Sequence, residues 1–459
     1  MSGHLRQGRR LAALAIAATA AISLAACSGT NQTGASAGSS SSASASASTS
    51  TAAALPAVST CTGSEDNKTT FKLGTFLPLT GSLAFLGPAA VAGSGQALSE
   101  IAAAGGVNGK APCVLGTDSS DTDNPTIGLN NVKKLLAANV SAILGAESSS
   151  VTLNVLPTVA AQSTVMFSPA NTADELSGAS KWYFRDAPNN TVEGNALGQQ
   201  VVTDGHSKTA ILVFNDAYGT NLRDATQKAI EQAGGSVVYG AKGKGQEFPS
   251  TETNFSGIVS DALATNPDSI VIIAFAQTYQ ILPALASANY DFKNAYFVDG
   301  NLNDYSKDAN GKDTDSQPDL TGAKGATQGA NPSDAFKATL TAWYAKNEPN
   351  AKPITAFGYG AESYDATVIM ALAAQVGGAS DPATIQKNIL PVTGSKGGEV
   401  CKSYKACLDL IKGGTKSIHY QGYSGIGPLN EKHDPSTGYI SIYQYEGKAP
   451  SKFLNAVKG

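Results

Sequence analysis

The stretch SIVIIAFA at residues 269–276 restricts the possible folds more than any other part of the sequence. It is apolar with no polar alternation, which is typical of a β-strand that other elements cover on both faces. Similar short runs, such as 71–77 and 209–214, alternate along the chain with longer helical patterns such as 91–103 and 221–233. This alternation predicts an α/β protein in which helices cover both faces of a parallel sheet.

The region after about residue 70 is longer than one hydrophobic core usually serves, so we expect two lobes with a cleft between them. The formal net charge is −4 and the isoelectric point is near 5.7. No basic stripe runs through the sequence. These properties argue against nucleic acid as a partner.

The N-terminus has the pattern of an export signal, which we place at residues 1–26. Arg6, Arg9 and Arg10 precede an apolar stretch that is too short to span a bilayer. The following Leu-Ala-Ala-Cys resembles the lipobox of bacterial lipoproteins, and this resemblance implies a lipid on Cys27. The alternative is an ordinary export signal with a chance cysteine. Lipidation predicts a protein anchored to the cell membrane on its extracytoplasmic face.

Residues 27–65 are rich in serine and alanine and contain almost no bulky apolar residue. Such a segment cannot bury enough apolar surface to fold, so we expect a flexible tether between the membrane and the lobes. The sequence GASAG at 34–38 matches a hydrolase nucleophile elbow. It lies inside the tether with no strand or helix pattern around it, and we do not interpret it as a site.

Four cysteines follow the lipobox, and an even number in an exported chain favours disulfide bonds. The simplest pairing is Cys61 with Cys113 and Cys401 with Cys407, although the sequence alone allows three connectivities. A metal site is the weaker alternative, because no histidine lies near either pair except His419. We expect neither a metal nor another cofactor.

Polar side chains are concentrated in the segments that follow the predicted strands. Ligands of open parallel sheets bind beyond the carboxyl ends of the strands, so these segments form the candidate site. The same residue types favour helix caps and turns, which is the alternative for any single segment. Six such segments together favour a polar binding cleft: LPLTGSLAFLG, GAESSS, SPANTA, NDAYG, FAQTY and VDGN.

The chain resembles the branched-chain amino-acid-binding family of solute-binding proteins that serve bacterial ABC transporters. The resemblance extends over about residues 71–444 and rests on FKLGTFLPLTGSLAFLG, SEIAAAGGVNGK, SPANTADEL, YFRDAPNN, VFNDAYG, AESYDA and GIGPLNEKHDPSTGYISIYQY. It implies the type 1 periplasmic-binding fold, in which two Rossmann-like lobes joined by a three-strand hinge close on a small solute. Lobe 1 would comprise residues 70–187 and 331–425, and lobe 2 residues 188–330 and 426–459.

The resemblance also implies which residues contact the solute. Ser149 in GAESSS would donate its hydroxyl to a solute carboxylate. The backbone of Ala170 and the hydroxyl of Thr172 would hold the carboxylate and an ammonium, and Tyr218 would face the cleft from lobe 2. A loop that leads into a helix suits a carboxylate, because its backbone N–H groups are unpaired and the helix dipole is positive there.

Two further cleft positions follow from the resemblance, and one departs from the family pattern. Gln277 or Thr278 in FAQTY would line the cleft from lobe 2. Asn301 stands where amino-acid-binding members have a glutamate that pairs with the ammonium. Asparagine brings no charge, and burying an unpaired ammonium is costly.

Because Asn301 replaces a charged glutamate, two alternatives follow. Either Asp299, Asp121 or Glu147 replaces the glutamate, or the solute is not an amino acid. We interpret Glu147 as a solvated charge of its loop. Leu86 also stands where the family often has an aromatic residue. An aliphatic amino acid, an amide, an aromatic acid and a short organic acid therefore remain candidate solutes.

A search for catalytic motifs is negative. The sequence has no HExxH, no phosphate loop ending in Gly-Lys-Ser/Thr and no CxxC, and none of its four histidines lies in a strand-end segment. We therefore expect a monomeric, membrane-tethered solute-binding protein that is not an enzyme and delivers its solute to an ABC permease. The alternatives are a sensor of the same fold that reports to a signalling partner and, less favoured, a surface hydrolase that uses Ser149.

Overall fold

The computed structural model of the protein describes residues 55–308 and 311–458. The predicted export signal, the lipidation site Cys27 and the tether up to residue 54 lie outside the described residues. None of the described helices combines the length and the apolar character that crossing a membrane requires.

Strands and helices alternate through most of the described chain. The runs predicted at 71–77, 209–214 and 269–276 are confirmed as β2, β7 and β9 of the following list, and the helical patterns at 91–103 and 221–233 as α1 and α5. The described strands are β1 (Ser59–Thr60), β2 (Lys72–Leu77), β3 (Cys113–Asp118), β4 (Ala142–Gly145), β5 (Val165–Ser168), β6 (Tyr183–Arg185), β7 (Lys208–Val213), β8 (Ser236–Tyr239), β9 (Ser269–Ile273), β10 (Ala295–Phe297), β11 (Lys324–Gln328), β12 (Glu399–Cys401), β13 (Ile418–Tyr420), β14 (Tyr439–Glu446) and β15 (Ala449–Lys458). The described α-helices are α1 (Gly87–Ala103), α2 (Pro125–Ala137), α3 (Ser149–Ala161), α4 (Asn190–Thr203), α5 (Ala217–Gln232), α6 (Ser256–Ala264), α7 (Thr278–Ser287), α8 (Asp334–Asn347), α9 (Gly360–Gly377), α10 (Pro382–Val392) and α11 (Tyr404–Lys412).

The first sheet is parallel throughout and has the strand order β1-β3-β2-β4-β5-β6. Its apolar residues alternate between two layers, as the two-residue period of a strand requires. In β4, Ala142 and Leu144 belong to the apolar cluster formed with α1 and α9, whereas Ile143 belongs to the cluster formed with α2 and α3. Helices therefore cover both faces of this sheet, as predicted.

The second sheet has the strand order β15-β14-β11-β10-β9-β7-β8. Strands β7 to β11 pair in parallel, whereas β14 pairs antiparallel with both β11 and β15. All residues of β9, Ser269–Ile273, are buried. This confirms the prediction of a strand that is covered on both faces.

The chain passes between the two sheets three times, so three segments join the two α/β lobes. After β6 it enters lobe 2 at α4, after β11 it returns to lobe 1 at α8, and before β14 it enters lobe 2 again. Helices α8, α9 and α11 pack against α1, and α10 packs against α9, which completes lobe 1. This arrangement is the predicted pair of Rossmann-like lobes with a three-strand hinge.

The last crossing lies later in the chain than the predicted boundary at residue 426. Leu429 is part of the apolar core of lobe 1. Asp434 accepts a hydrogen bond from Arg185 Nε at 2.7 Å, and Arg185 is fully buried at the end of β6. Because this ion pair and this apolar contact hold the segment on lobe 1, residues 426–438 belong with lobe 1 rather than lobe 2.

Both predicted disulfide bonds are present, Cys61–Cys113 and Cys401–Cys407, with Cα–Cα distances of 5.0 and 5.2 Å. The first of them corrects the predicted tether of residues 27–65. Strand β1 pairs with β3 immediately before this disulfide, so the folded part begins before residue 65. A two-residue strand is too short to leave a periodic signal in the sequence.

Candidate functional site

A small cavity lies between the two lobes, beyond the carboxyl ends of their parallel strands. Its volume is about 20 Å³, close to the room that one water molecule needs, so a larger solute fits only when the lobes move apart. Both lobes supply the lining: Leu83, Leu86, Glu147, Ser149, Ala170, Thr172 and Tyr359 from lobe 1, and Tyr218, Phe275, Asp299 and Gly300 from lobe 2.

The loop between β4 and α3 brings two of these residues to the cavity. It begins at Gly145, whose φ of +121° is rare for residues with a side chain. A Cβ atom at this position would lie 1.9 Å from the carbonyl oxygen of Phe76 in the neighbouring strand. Glycine is therefore required here, and the turn that it permits carries the chain from the sheet edge to Glu147 and Ser149.

The three consecutive serines of this loop have three different partners. Ser148 is the N-cap of α3 and its hydroxyl accepts from the N–H of Val151 at 3.3 Å. Ser149 lines the cavity. Ser150 donates across the cleft to Asp216 Oδ2 in lobe 2 at 2.6 Å. The run Ser-Ser-Ser thus combines a helix cap, a cavity wall and a contact between the lobes.

Ser149 is held in a geometry that leaves its proton free. Its oxygen accepts from the backbone N–H groups of Thr172 and Ala173, at 3.3 and 3.2 Å. A hydroxyl has one proton and two acceptor positions, so the remaining capacity of Ser149 is to donate. The Thr172 hydroxyl has no hydrogen-bond partner among the described residues. The backbone N–H of Ala170 donates to Ser168 Oγ at 3.2 Å, although sequence reasoning assigned it to a solute carboxylate.

Asp299 supplies a carboxyl group on the opposite wall. Its Oδ1 accepts from the Tyr218 hydroxyl and from the N–H of Gly300 at 2.8 Å, and its Oδ2 accepts from the Tyr359 hydroxyl. Burial raises the pKa of Asp299 above its usual value, while the two tyrosine hydroxyls favour its ionised form. Burial also raises the pKa of both tyrosines well above 10, so they retain their protons and donate.

Tyr359 is a site residue that sequence reasoning missed. It is the N-cap of α9 in lobe 1, yet it donates to Asp299 in lobe 2. Its φ of +62° lies in the left-handed region, which is strained for a bulky residue and is found most often at functional sites. No local sequence signal marks this position, because the contact joins residues that are 60 positions apart.

Three residues predicted to line the cleft from lobe 2 are not among the residues that line the cavity. Asn301 Oδ1 accepts from Val298 N–H at 2.8 Å, and its Nδ2 donates to the Thr278 hydroxyl at 3.1 Å. Gln277 Oε1 accepts from the N–H of Phe275 at 2.9 Å. Gln277, Thr278 and Asn301 therefore position the wall. Phe275, two residues before Gln277 in the same segment, lines the cavity and stacks on Tyr218 at 5.2 Å.

The three acidic residues considered as substitutes for the expected glutamate have different environments. Asp299 lines the cavity, as described above. Asp121 Oδ2 accepts from the N–H of Ser82 at 2.7 Å and holds that loop in place. Glu147 lines the cavity and is only 4% exposed, so the interpretation of Glu147 as a solvated charge is wrong. Residues that are distant in sequence bury Glu147, because both lobes line the cavity that it faces.

Buried carboxyls at the cleft make stability depend on pH. Burial raises the pKa of Glu147 to about 8, with the Glu362 carboxyl adding to the shift, and burial also raises the pKa of Glu362 to about 8. The folded protein then keeps these protons up to pH 8, whereas the unfolded chain releases them near pH 4.5. The stability that Glu147 and Glu362 contribute is therefore fully present below pH 4.5 and is lost as the pH rises to about 8.

We expect the protein without solute to unfold at a lower urea concentration at pH 8 than at pH 5. Glu147→Gln removes one of the two carboxyls and should reduce this difference. The carboxyls whose pKa is lowered, such as those of Asp268 and Asp381, change stability at lower pH and do not cancel the effect. Equal urea midpoints at pH 5 and pH 8 in the wild type would contradict the expectation.

Comparison with known sequences places the chain in a family. The family described as periplasmic binding protein matches residues 70–393. The chemotactic signal transduction system substrate-binding protein BasB of Halobacterium salinarum is 25% identical over 382 residues, covering 80% of this chain and 85% of BasB. Leu/Ile/Val-binding protein homolog 1 of Brucella abortus is 30% identical over 166 residues, which is 35% of this chain and 44% of that relative.

Solved structures show the same fold at low sequence identity. LivJ of Streptococcus pneumoniae, solved with isoleucine, has a TM-score of 0.64 and 19% identity, covering 85% of this chain and 100% of LivJ. A solute-binding protein of Rhodopseudomonas palustris, solved with 4-hydroxybenzoate, has a TM-score of 0.64 and 18% identity, covering 84% and 97%. With this fold and a family match over most of its length, the chain belongs to the type 1 periplasmic binding protein family.

Proposed function

We propose that this protein captures a small solute that carries a carboxylate and an ammonium, closes its lobes on it and delivers it to an ABC permease. One observation carries the proposal: the two walls of the cavity have complementary polar groups. Lobe 1 presents the hydroxyls of Ser149 and Thr172, and lobe 2 presents the carboxyl of Asp299. Hydroxyl donors suit a carboxylate, and a buried carboxylate suits an ammonium.

Docking would begin on lobe 1. Ser149 is in the first turn of α3, where backbone N–H groups and the helix dipole favour a negative charge. Its proton is free because backbone N–H groups already occupy its acceptor positions. The solute carboxylate would accept this proton, and the Thr172 hydroxyl would provide a second contact.

Closure would then bring Asp299 to the ammonium. Two sets of hydrogen bonds between the lobes favour the closed arrangement. Tyr359 donates to Asp299, and Ser150 and Thr122 donate to Asp216 Oδ2 at 2.6 and 3.0 Å. The solute would shift the equilibrium toward closure around it, with the lobes somewhat farther apart than in the structure described, because only then does it contact both walls.

The polar groups of the cleft suit an amino acid better than an aromatic acid. Relatives of this fold were solved with either class, isoleucine in one and 4-hydroxybenzoate in another. An aromatic acid brings no cation. The Asp299 carboxylate would then remain buried without a counter-charge, which is costly. The Asp299 carboxyl thus takes the place of the glutamate that is absent at Asn301.

The N-terminal sequence supports a proposal about where the protein works. We propose that residues 1–26 direct export, that Cys27 carries the lipid anchor and that the protein works as a monomer on the extracytoplasmic face of the cell membrane. A sensory role is the second candidate, because BasB is described as a chemotactic signal transduction protein. Catalysis by Ser149 receives no support, since none of the described histidines lines the cavity.

Isothermal titration calorimetry with amino acids, amides and aromatic acids tests the proposal. We expect saturable binding of an amino acid, and Ser149→Ala should weaken it by about tenfold, because one hydrogen bond to a charged group is lost. Ser148→Ala is the matched control: it should cost about 1 kcal/mol of stability through the lost cap and leave affinity unchanged. Equal losses of affinity in both variants, or no binding by any compound, would contradict the proposed site.

A further inference from the structure

The carboxyl of Glu147 is the polar group of the cavity that the proposed function does not use. Its side chain is 4% exposed, and neither of its oxygens has a hydrogen-bond partner among the described residues. It lines the same cavity as Ser149 and Asp299. Asp186 also lacks partners but does not line the cavity. Buried carboxyls are ordinarily hydrogen-bonded, so Glu147 requires an explanation.

No basic side chain of the described residues compensates Glu147. The charged group that acts on it is another carboxyl, Glu362, which adds to the effect of burial. The buried carboxyl of Asp365 is different, because it accepts from the hydroxyls of Tyr420 at 2.8 Å and Ser424 at 2.6 Å. Among the described residues, Glu147 and Asp186 are the buried carboxyls whose oxygens both lack hydrogen-bond partners, and of these two Glu147 lines the cavity.

Part of the cavity lining is apolar. Leu83, Leu86 and Phe275 line the cavity together with the polar groups of both lobes. Apolar side chains and a carboxyl in one cavity suit a short methylene chain that ends in a cation, since the chain buries apolar surface and the cation pairs with the carboxyl.

We propose that Glu147 binds a cationic group at the end of the solute's side chain and that the solute is therefore a diamino acid. This inference rests on the proposed function, because it uses the same cleft. The α-carboxylate would bind Ser149, the α-ammonium Asp299, and the side-chain ammonium Glu147, whose carboxyl would release its proton on binding. Ser149, Asp299 and Glu147 then have one partner each on the solute.

A matched pair of probes tests the inference in the complete protein. L-ornithine and L-norleucine have side chains of the same length, and the ammonium of ornithine takes the place of the terminal methyl of norleucine. Calorimetry should show that the wild type binds ornithine about 10- to 100-fold more tightly than norleucine, since a charged hydrogen bond is gained. L-lysine extends the comparison by one methylene.

Two substitutions distinguish a specific effect of the Glu147 carboxyl from a general effect of net charge. Glu147→Gln should abolish the preference for the diamino acids, whereas Glu175→Gln, which removes an exposed carboxyl of lobe 1, should keep it. Circular dichroism checks that both variants are folded. Equal or tighter binding of norleucine by the wild type, or an unchanged preference in Glu147→Gln, would overturn the inference and leave the proposed function intact. Binding of none of the three probes or of the wider panel would overturn both.

Discussion

Asp299→Asn should weaken solute binding by about 100-fold or more, the largest loss of affinity that we expect from a single substitution. The carboxyl of Asp299 faces the cavity and receives the hydroxyls of Tyr218 and Tyr359. Asparagine keeps the size of the side chain but removes the charge that pairs with an ammonium. The ammonium would then be buried without a counter-charge, and a solute loses more from this than from one missing hydrogen bond.

The control for Asp299 is an exposed carboxyl in the same lobe. Asp315 lies in the loop before β11 and its side chain is fully exposed. Asp315→Asn changes the net charge by the same amount and should leave affinity unchanged in calorimetry at physiological salt, because an exposed charge is screened. Affinity of Asp299→Asn within threefold of the wild type would show that the ammonium does not bind there.

Arg185→Met should lower the free energy of unfolding by about 3–5 kcal/mol, the largest effect on stability that we expect. Arg185 is fully buried, and its Nε donates to Asp434 Oδ1 at 2.7 Å. Its other nitrogens donate to the carbonyl oxygens of Asn171 and Ala173, at 3.1 and 2.9 Å, and to the hydroxyl of Ser177 at 2.7 Å. Methionine fills similar volume but leaves the Asp434 carboxylate unpaired. Urea denaturation measures the loss.

The double variant Arg185→Met with Asp434→Leu distinguishes an unpaired charge from lost packing. An apolar pair of similar volume often replaces a buried ion pair at little cost. The double variant should therefore be more stable than Arg185→Met alone. A double variant that is less stable than Arg185→Met would contradict this account, and so would a single variant whose free energy of unfolding is within 1 kcal/mol of the wild type. Either result would show that the unpaired Asp434 carboxylate is not the main cause of the lost stability.

The regular part of the fold could be predicted because it depends on local patterns. The run at 269–276 is apolar from Ile270 onward, and the structure buries every residue of β9. The family resemblance of GAESSS assigns Ser149 to the cleft, and Ser149 lines the cavity. Its position between a strand and a helix does not by itself distinguish it from Ser148, which caps α3. The end of the tether could not be predicted, since β1 is only two residues long.

The composition of the cavity depends on contacts between distant residues, which local patterns do not contain. Tyr359 reaches Asp299 only because the hinge brings α9 to the second lobe. Glu147 precedes three serines in the sequence, yet residues of both lobes bury it. Asn301 and Asp299 are two residues apart in a short turn, and only the three-dimensional path of that turn decides which side chain faces the cleft.

A crystal structure of the protein with the solute that it retains through purification tests the central assignment most directly. We expect one small molecule between the lobes, with its carboxylate on Ser149 and its ammonium on Asp299. A second, larger groove of about 680 Å³ is also lined by both lobes, by Leu79 and Trp343 from lobe 1 and by Tyr279 and Asn303 from lobe 2. A solute bound in that groove, or one in the cleft with an anionic group on Asp299, would contradict the assignment.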